Sequence, residues 1–245
     1  MRLLVVNVNT TSSVTEQIVR SAEEVASPGT TVTGLTPRLG AESVEGWFES
    51  HLAAVAVIDA VLAEQEPYDA VVQAGFGEHG VEALRELLDV PVVDITEAAA
   101  LTAALVGRSF SVVTTLDRAI GMIEDRLRLT GIADRCASVR ATGLPVLELE
   151  ADPERAVRRI VEESVAAVRD DRAEVICLGC AGMAGLEEAV RAATGVPVVD
   201  GVRAAVRLAE SLVALGLTTS KAGTYAPPRA KRLTGWPLGD LGPLT

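Results

Sequence analysis

The pentapeptide VPVVD occurs at 90–94 and again at 196–200, 106 residues later. Two further segments recur in the same order. DAVVQAGFG at 69–77 is answered by EVICLGCAGM at 174–183, an offset of 105, and LLVVNVN at 3–9 by FSVVTTL at 110–116, an offset of 107. A period this long does not describe a solenoid, whose units are 20–50 residues. It describes two related halves that differ by small insertions, which constrains the fold more tightly than any single motif does.

Within each half, short Val/Ile/Leu runs alternate with Ala-rich amphipathic stretches. Strands are predicted at 2–6, 30–35, 70–73, 90–93, 110–114, 138–141, 175–178 and 196–199. Helices are predicted at 12–26, 45–64, 80–88, 97–105, 116–129, 153–169, 186–193 and 201–215. Continuous apolar strands separated by helices imply parallel sheets covered on both faces. The expected fold is therefore α/β with two pseudo-symmetric lobes, each a parallel sheet flanked by helices. Residues 1–100 with 206–245 are expected to form the first lobe and 101–205 the second, with the site in the cleft between them. From Thr218 onward, Gly, Pro and basic residues predict an extended tail crossing the first lobe through Tyr225, and Trp236 is a candidate subunit contact.

Composition narrows the function. A net charge of −12 and the lack of a basic run argue against nucleic acid and acidic membranes as partners. Seven aromatic residues make a base-stacking surface a poor fit. No apolar run is long enough for a membrane span. The opening MRLLVVNVNTT reads as a strand and not as a secretion signal. With only three cysteines, Cys136, Cys177 and Cys180, the expectation is reduced thiols and a cytoplasmic location.

Ligands of open parallel sheets sit at the carboxyl ends of strands. The strand-end segments here are 7–12, 74–80, 114–117 and 179–183. The duplication puts Gly75 and Cys180 at matching positions, on opposite walls of a shared cleft. A thiol on each side of a bound carbon acid permits racemisation without a cofactor, one group removing the α-proton and the other returning one. Cys180, followed by Ala181 and Gly182 and then a helix from Leu186, is placed for a lowered thiol pKa. Cys177 reads as a buried strand residue, and Cys136 as a structural or incidental residue in a polar turn region. Cys177 and Cys180 spell Cys-x-x-Cys, but no second pair or His cluster completes a metal site. A protein that kept the cleft as a non-catalytic small-molecule binder is a reading from another class.

LGCAGM at 178–183, VNVNT at 6–10, VVTTLDR at 112–118 and ESLVALG with TSKAGTY in 210–225 together resemble the hydantoin and allantoin racemases, of the aspartate/glutamate racemase superfamily. The resemblance covers nearly the whole chain. It implies a two-lobed pseudo-dimer with no metal and no pyridoxal phosphate, a small-molecule substrate, homo-oligomers, and two facing catalytic cysteines. Cys180 matches the second cysteine. The first belongs to a Cys-Phe-Gly-Asp-Pro-Gly loop, and here that loop reads GFGEHG, with Gly75 at the cysteine position. The resemblance also implies that Asn9, Thr10, Ser43, Phe76, Gly77, Thr114, Thr115, Ala181 and Gly182 contact substrate. Relatives carry Asn-Pro-Asn where this chain has Asn7-Val8-Asn9.

Three expectations follow from the missing thiol. Gly75 marks an inactivated racemase variant. Alternatively, one cysteine suffices, as in the related arylmalonate decarboxylases, which protonate an enolate from one face. Or His79 or Glu78 stands in as second base, although a loop histidine is by default exposed to solvent. Trp47 and Phe48 are candidates for a hydrophobic wall or for the core, and residues 10–13 for a helix cap.

Overall fold

The computed structural model describes residues 1–230, so Trp236 lies outside the described residues. The first half runs β1 (Arg2–Val6), α1 (Ser12–Val25), β2 (Thr31–Leu35), α2 (Trp47–Leu62), β3 (Ala70–Gln73), α3 (Val81–Leu87), β4 (Val92–Asp94) and α4 (Ile95–Val106). The second runs β5 (Phe110–Thr114), α5 (Asp117–Leu129), β6 (Cys136–Ala141), α6 (Glu148–Ala151), α7 (Pro153–Asp170), β7 (Val175–Leu178), α8 (Glu187–Thr194), β8 (Val198–Asp200) and α9 (Gly201–Ala214). Two parallel four-stranded sheets result, ordered β2-β1-β3-β4 and β6-β5-β7-β8. One order maps onto the other strand for strand, so the sequence duplication is also a duplication of topology.

The match extends to single hydrogen bonds. Ala74 N–H donates to Val6 O at 2.8 Å, and Gly179 N–H donates to Val113 O at 2.8 Å. Pro91 O accepts from Val71 N–H at 2.9 Å, and Pro197 O from Ile176 N–H at 3.0 Å. Each VPVVD proline thus joins its sheet only as an acceptor, the one role a residue without an N–H retains. For that reason β4 and β8 start at Val92 and Val198, two residues later than the hydropathy suggests. The Asp closing each repeat caps the next helix. Asp94 accepts from the Thr96 and Glu97 N–H groups and Asp200 from Arg203 N–H. Capping starts α4 at Ile95, two residues ahead of the predicted start.

The inner strands β1, β3, β5 and β7 are buried almost throughout, as strands covered on both faces must be. The covering is exchanged between halves. Helix α4 lies against β7 and β8, and α9 against β3 and β4. Their alanine-rich faces join one apolar core that includes Leu3, Val72, Val112, Val175, Ala99 and Ala205.

Three local expectations are corrected. Cys136 opens β6 and is not in a turn; burial pushes its thiol up to about 12, and its Sγ lies 3.3 Å from Ser138 O. The short helix α6 had no sequence signal, being a single turn within a Leu/Glu-rich connection. Trp47 and Phe48 form neither wall nor core: they are 42% and 70% exposed at the start of α2, which buries its Ala53, Val57 and Val61 face instead. The tail after α9 runs along the first half. Thr219 Oγ1 donates to Val90 O at 2.7 Å, Lys221 Nζ to Arg85 O at 2.7 Å, and Tyr225 OH to Glu82.

Candidate active site

A cavity of about 40 Å³ lies at the carboxyl ends of β1, β3, β5 and β7, where the two halves meet. Among the residues proposed from sequence, Asn9, Gly75, Phe76, His79, Thr114, Thr115, Cys180, Ala181 and Gly182 border it. Thr10, Ser43 and Gly77 do not. Thr10 N–H is spent on Ala41 O at 3.0 Å, Val44 reaches the cavity in place of Ser43, and Gly77 N–H donates to Thr96 Oγ1 at 2.8 Å. Asn7 and Val8, from the strand-end segment 7–12, border it as well, as do Ala119, Met122 and Val146, which lie outside every strand-end segment. Met122 and Ala119 look like helix-core residues in sequence, because nothing local says which end of α5 meets the other half.

The first wall is built by Asn7. Its Oδ1 accepts from Val8 N–H at 2.7 Å, and its Nδ2 donates to Asn9 Oδ1 at 2.9 Å and Thr15 Oγ1 at 3.0 Å. The loop is thereby fixed by a buried amide. Thr11 occupies the cap position of α1 without a capping side-chain bond; its hydroxyl donates to Glu42 O at 2.8 Å instead. Among the described residues nothing accepts from Asn9 Nδ2 or from the Phe76 and Ala181 N–H groups. Phe76 and Ala181 are duplication mates, so the cavity carries a matched pair of free backbone donors.

On the second wall, Cys180 is partly buried just before a single 3₁₀ turn, Ala181–Met183. The regular helix α8 begins only at Glu187. The expected lowering of the thiol pKa is overturned. Burial pushes Cys180 up to about 11, the Glu45 and Asp200 charges add to the rise, and a hydrogen bond from Gly182 N–H opposes it. In the unliganded protein the group is a neutral thiol at pH 7. Cys177 is wholly buried on β7 beside Ala99 O.

The loop at 74–80 departs most from expectation. Gly75 has no room for a side chain: a methyl group placed there would lie 2.4 Å from His79 Cδ2 and 2.4 Å from Val8 Cγ1. Gly77 has φ 126°, a left-handed conformation suited to glycine. His79 is not exposed; it is 2% accessible, and burial lowers its pKa to about 4. Its Nδ1 lies 3.0 Å from Ser50 Oγ of α2, and its Nε2 3.4 Å from Phe76 O. Glu78 is not among the residues bordering the cavity. Its carboxylate accepts from Arg126 Nη1 at 3.2 Å and from Gly80 N–H at 2.9 Å.

Arg126 of α5 is fully buried and binds Asp94 through Nε at 3.1 Å and Nη2 at 2.6 Å, with Glu82 at 2.6 Å. Removing either partner of such a buried pair would leave an uncompensated buried charge, at a cost of about 3–5 kcal/mol. Arg126 ties the second half to the His79 loop through Glu78. Among the described residues no group of three or more His, Cys, Asp or Glu side chains is placed to hold a metal ion, and no helix is long and apolar enough to cross a membrane.

The chain as a whole is similar to known proteins. The chain is 42% identical to the hydantoin racemase of Rhizobium meliloti over 236 residues, 96% of this chain and 98% of that one. A crystal structure of allantoin racemase from Pseudomonas fluorescens superposes with a TM-score of 0.95 at 66% identity, covering 96% of this chain and all of that one. Unliganded arylmalonate decarboxylase shares the fold, with a TM-score of 0.59 at 18% identity over 86% of this chain and 92% of that one. The family described as Asp/Glu/Hydantoin racemase matches residues 3–209. On family match and overall identity alike, this chain belongs to the Asp/Glu/hydantoin racemase family.

Proposed function

We propose that this protein is a cofactor-independent isomerase that moves the α-proton of a hydantoin-like ring or a related amino-acid-derived amide, with the Cys180 thiol as acid/base on one face. The carrying observation is that Cys180 borders a cavity between duplicated halves, at the strand end matching Gly75. The names of the relatives, hydantoin and allantoin racemases, point to the same substrate class. The neutral Cys180 thiol is suited to donating a proton to a planar enolate. The free N–H groups of Phe76 and Ala181 and the Asn9 amide are suited to the oxygen that carries the charge. The resting thiol has to lose its proton before it can act as base, and a neutral polar substrate offers no charge to oppose that ionisation. Asn9 and Thr115 are assigned to substrate contact. Thr114 Oγ1 already donates to Gly179 O at 3.0 Å, so its part is to hold the Cys180 strand end.

The test is optical. Single enantiomers of allantoin and of a 5-substituted hydantoin are incubated with the protein and followed by circular dichroism. The signal should decay, and Cys180→Ser should slow that decay roughly a hundredfold or more. An unchanged rate in folded Cys180→Ser overturns the role of the thiol. A second reading, a lyase that protonates one face only, is favoured by the lack of a thiol at Gly75. Carbon dioxide release from an arylmalonate, with no decay of hydantoin optical activity, would establish it.

A further inference from the structure

A pocket of about 400 Å³ adjoins the cavity along α1. Gly182 belongs to the walls of both spaces. On α1, Val14 borders the cavity and Gln17, one turn on, borders the pocket. Residues three apart share a helix face, so the two spaces follow one another along one side of α1. The facing wall of the pocket comes from the second half, with Leu149 and Glu150 of α6 and Leu186 just ahead of α8. Two hydrogen bonds cross here between the halves: Ser13 Oγ donates to Glu150 Oε2 at 3.1 Å, and Gln17 Nε2 to Gly182 O at 3.3 Å.

Gly182 O can only accept, so the Gln17 amide presents its NH2 group there and leaves Oε1 for another donor. Oε1 is screened from solvent, and among the described residues nothing donates to it. A buried acceptor without a donor is costly, and such groups mark places for a water or a ligand. The pocket also supplies the volume that the cavity lacks. About 40 Å³ takes a few waters, so a substituted five-membered ring fits only once the halves part. Parting them loosens the two hydrogen bonds that join α1 to the second half and uncovers the Gln17 amide.

We propose that this pocket receives the C5 substituent of the substrate, and that Gln17 makes it selective for an arm carrying N–H donors, of the ureido or carboxamide class. The inference rests on the reading of Cys180 given above and adds the identity of the arm. A methyl group on Gly182 would lie 3.6 Å from Cys180 Sγ and 3.3 Å from Leu149 Cδ1. Glycine at 182 thus keeps open the passage from the thiol to the pocket. An arm N–H supplies the donor that Gln17 Oε1 lacks, and the Arg20 guanidinium, which also borders the pocket, suits the arm's carbonyl. An alkyl arm of the same size would leave Oε1 buried and unpaired, the situation in which polar sites discriminate most strongly.

The test compares kcat/KM for single enantiomers of allantoin and 5-isobutylhydantoin, followed by circular dichroism. The two arms have equal numbers of heavy atoms, and only the ureido arm has N–H groups. The unaltered protein should favour allantoin at least tenfold. Gln17→Met, of similar length but without the amide, should cut that preference tenfold or more, through a higher KM for allantoin. Ala184→Leu, which fills the pocket from just beyond the 3₁₀ turn, should cost both long arms at least tenfold more than it costs 5-methylhydantoin. A preference within twofold of normal in folded Gln17→Met, or none in the unaltered protein, overturns the inference and leaves Cys180 untouched. Should Gln17→Met fail to fold, Ala184→Leu and the unaltered protein decide, and equal losses for long and methyl arms refute the pocket. If the unaltered protein racemises none of these compounds, or Cys180→Ser racemises allantoin normally, the reading of Cys180 fails and this inference falls with it.

Discussion

Gly75 shows how far one residue's meaning depends on neighbours distant in sequence. The repeat identifies it as the mate of Cys180, and that much is legible from residues 69–77 and 174–183. What fills the space beside it is not legible, because Val8 comes from the β1 loop and His79 is held by Ser50 of α2. Histidine burial is decided by those partners, and so the exposed default fails here. The same geometry governs what Gly75→Cys would do. Its Cβ would press on the stiff Val8 branch and on a buried ring held by Ser50, so overpacking should destabilise the protein by about 1–3 kcal/mol. Adding Val8→Ala and His79→Ala should relieve most of that penalty. Urea unfolding of the single and triple variants measures it, and a single variant as stable as the unaltered chain contradicts the packing described.

Elements carry the next level of information, and here the two Asp caps differ. Asp94 has Arg126 beside it. Asp200, on the equivalent cap, has only the Arg203 and Val202 N–H groups and the Arg203 charge to offset its burial and the nearby Glu187. Its pKa is raised to about 6. A carboxyl whose folded pKa lies above its unfolded value stabilises the fold fully below about pH 4 and loses that contribution as pH rises through 6. By pH 7 the difference amounts to about 3 kcal/mol. Asp200→Asn keeps a capping oxygen and removes the buried charge. It should therefore raise stability at pH 7–8 by roughly 2–3 kcal/mol, with the gain vanishing toward pH 4. Denaturant titrations across that range check both the size and the sign. The sequence shows both caps plainly. It does not show that α5 sends an arginine to only one of them, since Arg126 sits among other arginines on an ordinary amphipathic helix.

At the scale of the whole molecule, the division expected from sequence has its boundaries at 100/101 and 205/206, inside α4 and α9, and does not show that each helix crosses whole to the other sheet. Hydropathy gives each helix an apolar face and leaves open which sheet receives it. The exchange makes the halves interdependent, because unfolding either one strips a covering helix from the other. Calorimetry should accordingly give one transition, with matching calorimetric and van't Hoff enthalpies. Two resolved transitions would show that the halves fold independently. The cavity of about 40 Å³ is also a property of the assembled halves. Its volume suits a few waters, well short of the 150 Å³ or so that holds a benzene ring, so a five-membered ring enters only if the walls separate.

The chain passes from one sheet to the layer covering the other at the β4–α4 and β8–α9 junctions, and these junctions approach closely. A methyl group on Gly201 would come within 2.6 Å of Ile95 O. Both crossings are therefore pinned at a single pivot, with the Arg126–Asp94 link bolted beside it. A residue bulkier than glycine at 201 would therefore wedge the two junctions apart and shift both crossing helices.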